Sequence, residues 1–334
     1  MATLVINRDS ISVTLESNHL VVHEHADGSC RRVPLVDIER VIVVGQPAIT
    51  FPVFVKLLDL GIPCSFLTHG GRWRGMMDGD CGFHAARRML QYERARDSAF
   101  LLRLSRQVVA AKIANSRRTI QRLASERKVP LANDLDWRQL SCISSGLAHA
   151  STSDAVRGFE GMAANVYFSL LARFFPADAA FGCRSRRPPL NPANALLSFV
   201  YSLLTGTFAS TVRAHGLDVA CGFFHRVSDR SPSLALDLME PFRPAWADRL
   251  VLNLLNHRRI CADKHFGKMD EGGFILNESG RSIVFRAFDE MMASRQDTDA
   301  GLLSRRQIIE REVCRFIAML ESKAENVIAF YRAA

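Results

Sequence analysis

β-branched residues, alternating or clustered, dominate the first eighty positions. Thr3 to Asn7, Ser10 to Leu15 and His19 to His25 read as three strands, because such side chains favour extended backbone and pack well on a pleated surface. Ala26-Asp27-Gly28 supplies a turn ahead of a further strand at Cys30 to Val33. Glu39 to Gly45, ERVIVVG, is a continuous apolar run and predicts a strand buried on both faces. Phe51 to Gly61 then switches to helical spacing and stops at a glycine. Ile62 to Thr68 returns to strand character, with His69-Gly70-Gly71-Arg72 as the next turn.

From about residue 87 the pattern changes. The stretch from Met89 to Arg127 has helical periodicity and neither Gly nor Pro, which predicts one or two long helices. Further helices are expected over 154–175, 193–213, 234–256, 281–293 and 304–331, joined by Pro- and Gly-bearing connections such as 183–194. The expected class is α+β: a small N-terminal β-rich domain over 1–86, then a larger all-α domain over 87–334. No internal repeat or low-complexity tract interrupts it.

Charge narrows the choice of partner. The 334 residues carry 43 Lys+Arg against 34 Asp+Glu, a formal net charge of +9, which favours polyanions through phosphate contacts and counterion release. Arginine pairs recur at 87–88, 117–118, 186–187, 258–259 and 305–306, and arginine grips phosphate bidentately. The eight cysteines are scattered without a C-x-x-C pair, which argues against a zinc ribbon or disulfide scaffold and fits free thiols. Without a signal-like N-terminus or an 18-residue apolar run, a cytoplasmic location and no membrane span are expected.

Standard nucleotide and zinc-protease motifs are missing. His23-Glu24-His25 lacks a third ligand, and Asp78-Gly79-Asp80 lacks the rest of a calcium loop. Glu160 stands out more: between Gly158 and Phe175 the only charges are Glu160 and Arg173, in a helix apolar nearly all round. A carboxylate in such surroundings is usually paired or bound to metal. His225 follows two phenylalanines, and Asp237 and Glu240 lie in the apolar run LALDLMEP. Three residues apart on a helix, these two acids share a face. Two readings stay open: a capping box, or a metal or acid/base site. Glu160, His225 and Glu240 together make an oxygen and nitrogen set suited to Mn²⁺ or Mg²⁺.

The blocks RGFEGMAANVYF, CRSRRPPLNPANALLSFVYSLL, HGLDVACGFFHR and SPSLALDLMEPFRPAWADRLVLNLLN, in that order and spacing, resemble the family of CRISPR-associated protein one. KLLDLGIPCSFLTHGGRWRG and QYERARDSAFLLRLSRQVVAAKIANSRR extend the resemblance over most of the chain. It implies an N-terminal β domain serving dimerisation and DNA contact, joined to a helical catalytic domain. It also implies a divalent metal held by Glu160, His225 and Glu240, with Asp237 as an auxiliary acid. Pro241 departs from the usual Glu and is expected to disturb the helix, since proline disfavours α geometry in the preceding residue. Arg184, Arg186, Arg187 and Asn194, with neighbouring Asn191, are the expected DNA contacts, or else Asn191 or Asn194 caps the next helix.

The implied activity is that of an integrase/endonuclease, joining the 3′-hydroxyl of a short foreign DNA fragment to a phosphodiester at the CRISPR repeat. Implied partners are double-stranded DNA, a second copy of the chain and CRISPR-associated protein two. Alternatives are a structure-selective DNA nuclease without a CRISPR role, or a non-catalytic DNA-binding scaffold.

Overall fold

The computed structural model describes residues 2–79, 84–186, 188–225, 231–269, 272–322 and 330–333. Asp80 and Arg187, both singled out above, lie outside the described residues. Eight strands fill the first part: β1 Ala2–Ile6, β2 Ile11–Glu16, β3 His19–Glu24, β4 Cys30–Pro34, β5 Ile38–Val44, β6 Ala48–Ile49, β7 Cys64–Leu67 and β8 Trp73–Met77. They form two four-stranded sheets, ordered β1-β5-β7-β8 and β4-β3-β2-β6. The helix α1, Phe51–Asp59, links β6 to β7 and ends beside Gly61, whose φ is +63°.

The strand ERVIVVG is buried on both faces, as its pattern predicts. Val41 and Val43 join one apolar cluster with Val13, Leu20, Val53 and Leu57. Ile42 and Val44 point the other way, into the cluster built mainly by the helices. The period-two alternation of β5 therefore welds the sheets to the helical part.

The helices are α2 Ala85–Arg94, α3 Ser98–Glu126, α4 Leu135–Leu147, α5 Ser153–Ala172, α6 Pro192–Ala214, α7 Ser233–Met239, α8 Arg249–Asn256, α9 Ala262–His265, α10 Glu278–Ala293 and α11 Arg305–Glu321. Two short antiparallel hairpins are added, β9 Phe266–Lys268 with β10 Phe274–Leu276, and β11 Arg295–Thr298 with β12 Gly301–Ser304. The C-terminal part is thus mostly helical rather than purely so.

Several boundaries differ from the sequence reading, each for a local reason. The stretch read as one or two helices is two, within that expectation, because Asp97 caps α3 by accepting from the backbone N–H groups of Ala99 and Phe100. The expected helix 234–256 breaks at Glu240-Pro241, where proline has no N–H to give, and resumes through a π-helical turn over Arg243–Asp248. Glu240 itself keeps α geometry (φ −51°, ψ −45°), so Pro241 ends the hydrogen bonding without pushing its neighbour to extended backbone. The expected helix 304–331 stops at Glu321, and Phe330 to Ala333 pack as non-helical chain. Helix α4 went unread. Helix α6 is long and apolar enough to cross a membrane by length and composition, but 78% of that window is buried inside the protein.

Candidate active site

Helices α3, α5 and α7 converge with the segment leading to His225. Helix α5 is not apolar all round in its setting: Gly158, Met162, Asn165 and Ser169 form an exposed stripe, and the opposite side packs on α3 and α4. Glu160 stands at the edge between them, its side chain 24% exposed. Glu240, at the end of α7, is 2% exposed.

Asp237 is neither a cap nor a surface acid. It lies inside α7, where no side chain caps the N-terminus, so the capping-box reading fails. Fully buried, its Oδ2 accepts from the backbone N–H groups of Phe223 (2.6 Å) and Phe224 (2.9 Å). Its Oδ1 accepts from the backbone N–H of His225 (2.9 Å) and lies 2.5 Å from His225 Nδ1. A carboxylate oxygen only accepts, which places a proton on Nδ1, so that Nε2 is the ring nitrogen that can offer a lone pair in the neutral imidazole. That nitrogen faces Glu240 Oε1 at 3.9 Å. Gly222 makes this wrap possible: a Cβ there would lie 2.6 Å from Asp237 Oδ2 and 2.9 Å from Ser233 Cβ.

The two glutamates face one another across a lysine. Lys112 of α3, its side chain 13% exposed, is ion-paired to Glu160 Oε1 and lies 2.7 Å from Glu240 Oε2. The second contact joins the buried Glu240 Oε2 to the same ammonium, so one cation pairs with both acids. Arg243, one turn on, donates to Glu240 Oε1 at 2.8 Å and stacks on the Tyr201 ring at 4.6 Å. Burial pushes the Glu240 carboxyl up, but Arg243, Lys112 and His225 outweigh it and hold the group at about 2. Behind Arg243, the buried Asp248 accepts from the hydroxyls of Tyr167 (2.7 Å) and Tyr201. Burial raises its carboxyl to about 6 against those hydrogen bonds.

Among the described residues, no three His, Cys, Asp or Glu side chains are already closed round a common point. The donor chemistry nonetheless fits a divalent ion. Two carboxylates confront each other across a gap that one cation now spans, and an imidazole nitrogen stands beside Glu240.

The structure therefore brings Glu160, His225, Asp237 and Glu240 together. It does not bring the expected DNA contacts there as a group. Asn194 is 0% exposed; its Oδ1 accepts from Arg184 Nη1 and Ser185 N, and its Nδ2 donates to Cys183 O. Buried, it is out of reach of a phosphate and instead holds the 183–185 loop. Arg184 is engaged there too, reaching Ser198 Oγ at 2.9 Å. Asn191 caps α6 through Asn194 N. Arg186 is exposed and lines a small cavity with Lys112, Glu160 and Asp248. Sequence reasoning missed Lys112 and Arg243; a single lysine within VVAAKIAN was the available signal.

The family model for CRISPR associated protein Cas1 matches residues 4–290. A CRISPR-associated endonuclease Cas1 of Rhodospirillum rubrum is 35% identical over 269 residues, covering 78% of this chain and 77% of its own. A casposase bound to its integration product superposes with a TM-score of 0.88 at 21% identity, over 99% of this chain and 93% of that one. A Cas6-RT-Cas1–Cas2 complex superposes at 0.84 and 23% identity, over 99% of this chain and 36% of the fused one. The family model over residues 4–290 and the relative 35% identical over 78% of the chain make this protein a member of the Cas1 family.

Proposed function

We propose that the chain is the divalent-metal-dependent strand-transfer enzyme of CRISPR adaptation, joining the 3′-hydroxyl of a short DNA fragment to a phosphodiester at the CRISPR repeat. The observation that carries this reading is the pair Glu160 and Glu240, facing across one cation with Nε2 of His225 beside Glu240. These three side chains would hold one Mg²⁺ or Mn²⁺; the donor set admits both. When bound, the ion polarises the scissile phosphate and offsets charge on its equatorial oxygens.

The chain's own groups do the rest. Asp237 fixes the imidazole tautomer and orients the ring. Arg243 keeps Glu240 ionised and aimed. Arg186, exposed at the cavity, is the phosphate contact this reading retains, with Arg187 beside it in sequence. Likeness to a chain in a Cas6-RT-Cas1–Cas2 complex and to a casposase bound to its integration product supports Cas2 and DNA as partners, and the same reading takes double-stranded DNA and a second copy of the chain with them. The sheets over 1–86 would serve pairing and DNA contact, the helices over 87–334 the chemistry; Phe51, Val55 and Leu58 leave an exposed apolar stripe on α1 for that pairing. An enzyme acting on the chromosomal array works in the cytoplasm.

The test is strand transfer of a labelled duplex with free 3′-hydroxyls into a plasmid bearing a CRISPR array, with Cas2 present. Product should require Mg²⁺ or Mn²⁺, vanish with EDTA, and be absent with Glu160→Ala or Glu240→Ala. Cleavage of branched DNA without joining would favour a nuclease; DNA binding with neither reaction would favour a scaffold.

A further inference from the structure

Lys112 is the one buried cation at the site for which the proposed reaction has no use. It sits on α3 between Ala111 and Ile113, both in the core, and 48 residues separate it from Glu160 in sequence. Burying an ammonium is costly unless it is paired on more than one side. Here the pairing is double: Glu160 and Glu240, from two other helices, both hold it. To hold a divalent ion between them, the same two oxygens would come within about 2.0–2.1 Å of it. They cannot do so while an ammonium stands between them. Arg243 differs, because it meets only Glu240, at Oε1, and does not bridge the two acids.

Beside the lysine lies a cavity of about 30 Å³, lined by Lys112, Ser116, Tyr167, Tyr201, Arg243 and Asp248. It holds room on the scale of one water molecule, and Asp248 is among the residues that line it, as are Glu160 and Arg186. A long, unbranched side chain can turn into that space by rotation about its terminal bonds, leaving α3 where it is.

We propose that Lys112 is a resident counter-ion for the metal centre: it bridges Glu160 and Glu240 while no divalent ion is bound, and it leaves for the neighbouring cavity as the ion enters. The inference rests on reading Glu160 and Glu240 as ion ligands. Its consequence is a trade between the two forms. Lys112 stabilises the metal-free protein by keeping two facing carboxylates from repelling one another, and it lowers apparent metal affinity because the ion must displace it.

Lys112→Met keeps the stem and removes the charge. Mn²⁺ binding is measured by calorimetry and by the loss of free-ion EPR signal, alongside thermal melts in EDTA and in saturating Mn²⁺. Arg186→Met reports the general effect of removing a nearby positive charge, and Glu160→Gln the loss of a ligand. The expected result is at least a tenfold lower Kd for Lys112→Met, with less than a threefold change for Arg186→Met. The Lys112→Met melt should fall in EDTA and recover with Mn²⁺. If that variant does not fold, Lys112→Gln carries the same measurement. Unchanged or weaker Mn²⁺ binding in the lysine variant, with Glu160→Gln binding lost, would overturn the counter-ion and leave the ligand reading standing. Equal Mn²⁺ binding in wild type and Glu160→Gln would sink both.

Discussion

Replacing Asp237 by Asn tests whether a buried carboxylate builds the histidine arm of the site. The change is nearly isosteric, so it alters hydrogen bonding and charge with little change in packing. Each oxygen of Asp237 accepts two bonds: Oδ2 from Phe223 N and Phe224 N, Oδ1 from His225 N and Nδ1. An amide NH₂ in either place turns an acceptor toward donors and strands two of them. A buried unsatisfied donor costs about 1–3 kcal/mol, so two cost about 2–6 kcal/mol if the local structure stays closed. Opening of residues 222–225 caps the loss, and we expect about 2–4 kcal/mol in urea unfolding. Hydrogen exchange should show lost protection at the amides of Phe223, Phe224 and His225. Strand transfer should fall by about 10–100-fold, the scale for removing a carboxylate that orients a metal-binding histidine. Stability within about 0.5 kcal/mol of wild type, with full protection and full activity, would refute the reasoning.

Three further outcomes follow from the same geometry. Gly222→Ala places a methyl 2.6 Å from Asp237 Oδ2 and against Ser233, so the acid must shift; the variant should mimic Asp237→Asn in hydrogen exchange. Asn115→Ala removes donors to Pro241 O (2.6 Å) and Tyr331 O and the acceptor for Ala333 N; urea unfolding should show a loss of about 2–4 kcal/mol. Asp248 gives a pH signature. Its folded pKa is raised to about 6, above the usual carboxylate value of about 3.9. The native state therefore keeps a proton that the unfolded chain has released, and the destabilisation at neutral pH fades as pH falls through 6. Wild type should gain about 2 kcal/mol over Asp248→Asn between pH 7.5 and 4.5, measured by urea unfolding in EDTA; a constant gap would contradict the buried-acid reading.

How much of this was legible in the chain depends on the range of each interaction. The strand ERVIVVG announced its two buried faces because Val41 to Val44 are all apolar, and the structure divides Val41 and Val43 from Ile42 and Val44 between two cores. Glu160, His225, Asp237 and Glu240 were visible as polar groups in apolar company. Their partners were not. Lys112 reaches Glu160 from 48 positions away, and no local pattern encodes that meeting. Asn194 illustrates the converse: beside three arginines it reads as a phosphate contact, whereas its amide is consumed by Arg184, Ser185 and Cys183. The break at Glu240-Pro241 was misjudged because proline's missing N–H acts on hydrogen bonding even where the preceding residue keeps α dihedrals.

The most direct test of the site is anomalous diffraction at the manganese edge from crystals grown with Mn²⁺. A single strong peak is expected within about 2.0–2.4 Å of a carboxylate oxygen of Glu160, a carboxylate oxygen of Glu240 and Nε2 of His225. A peak elsewhere, or none at a concentration that supports strand transfer, would contradict the assignment of these three residues as the metal centre.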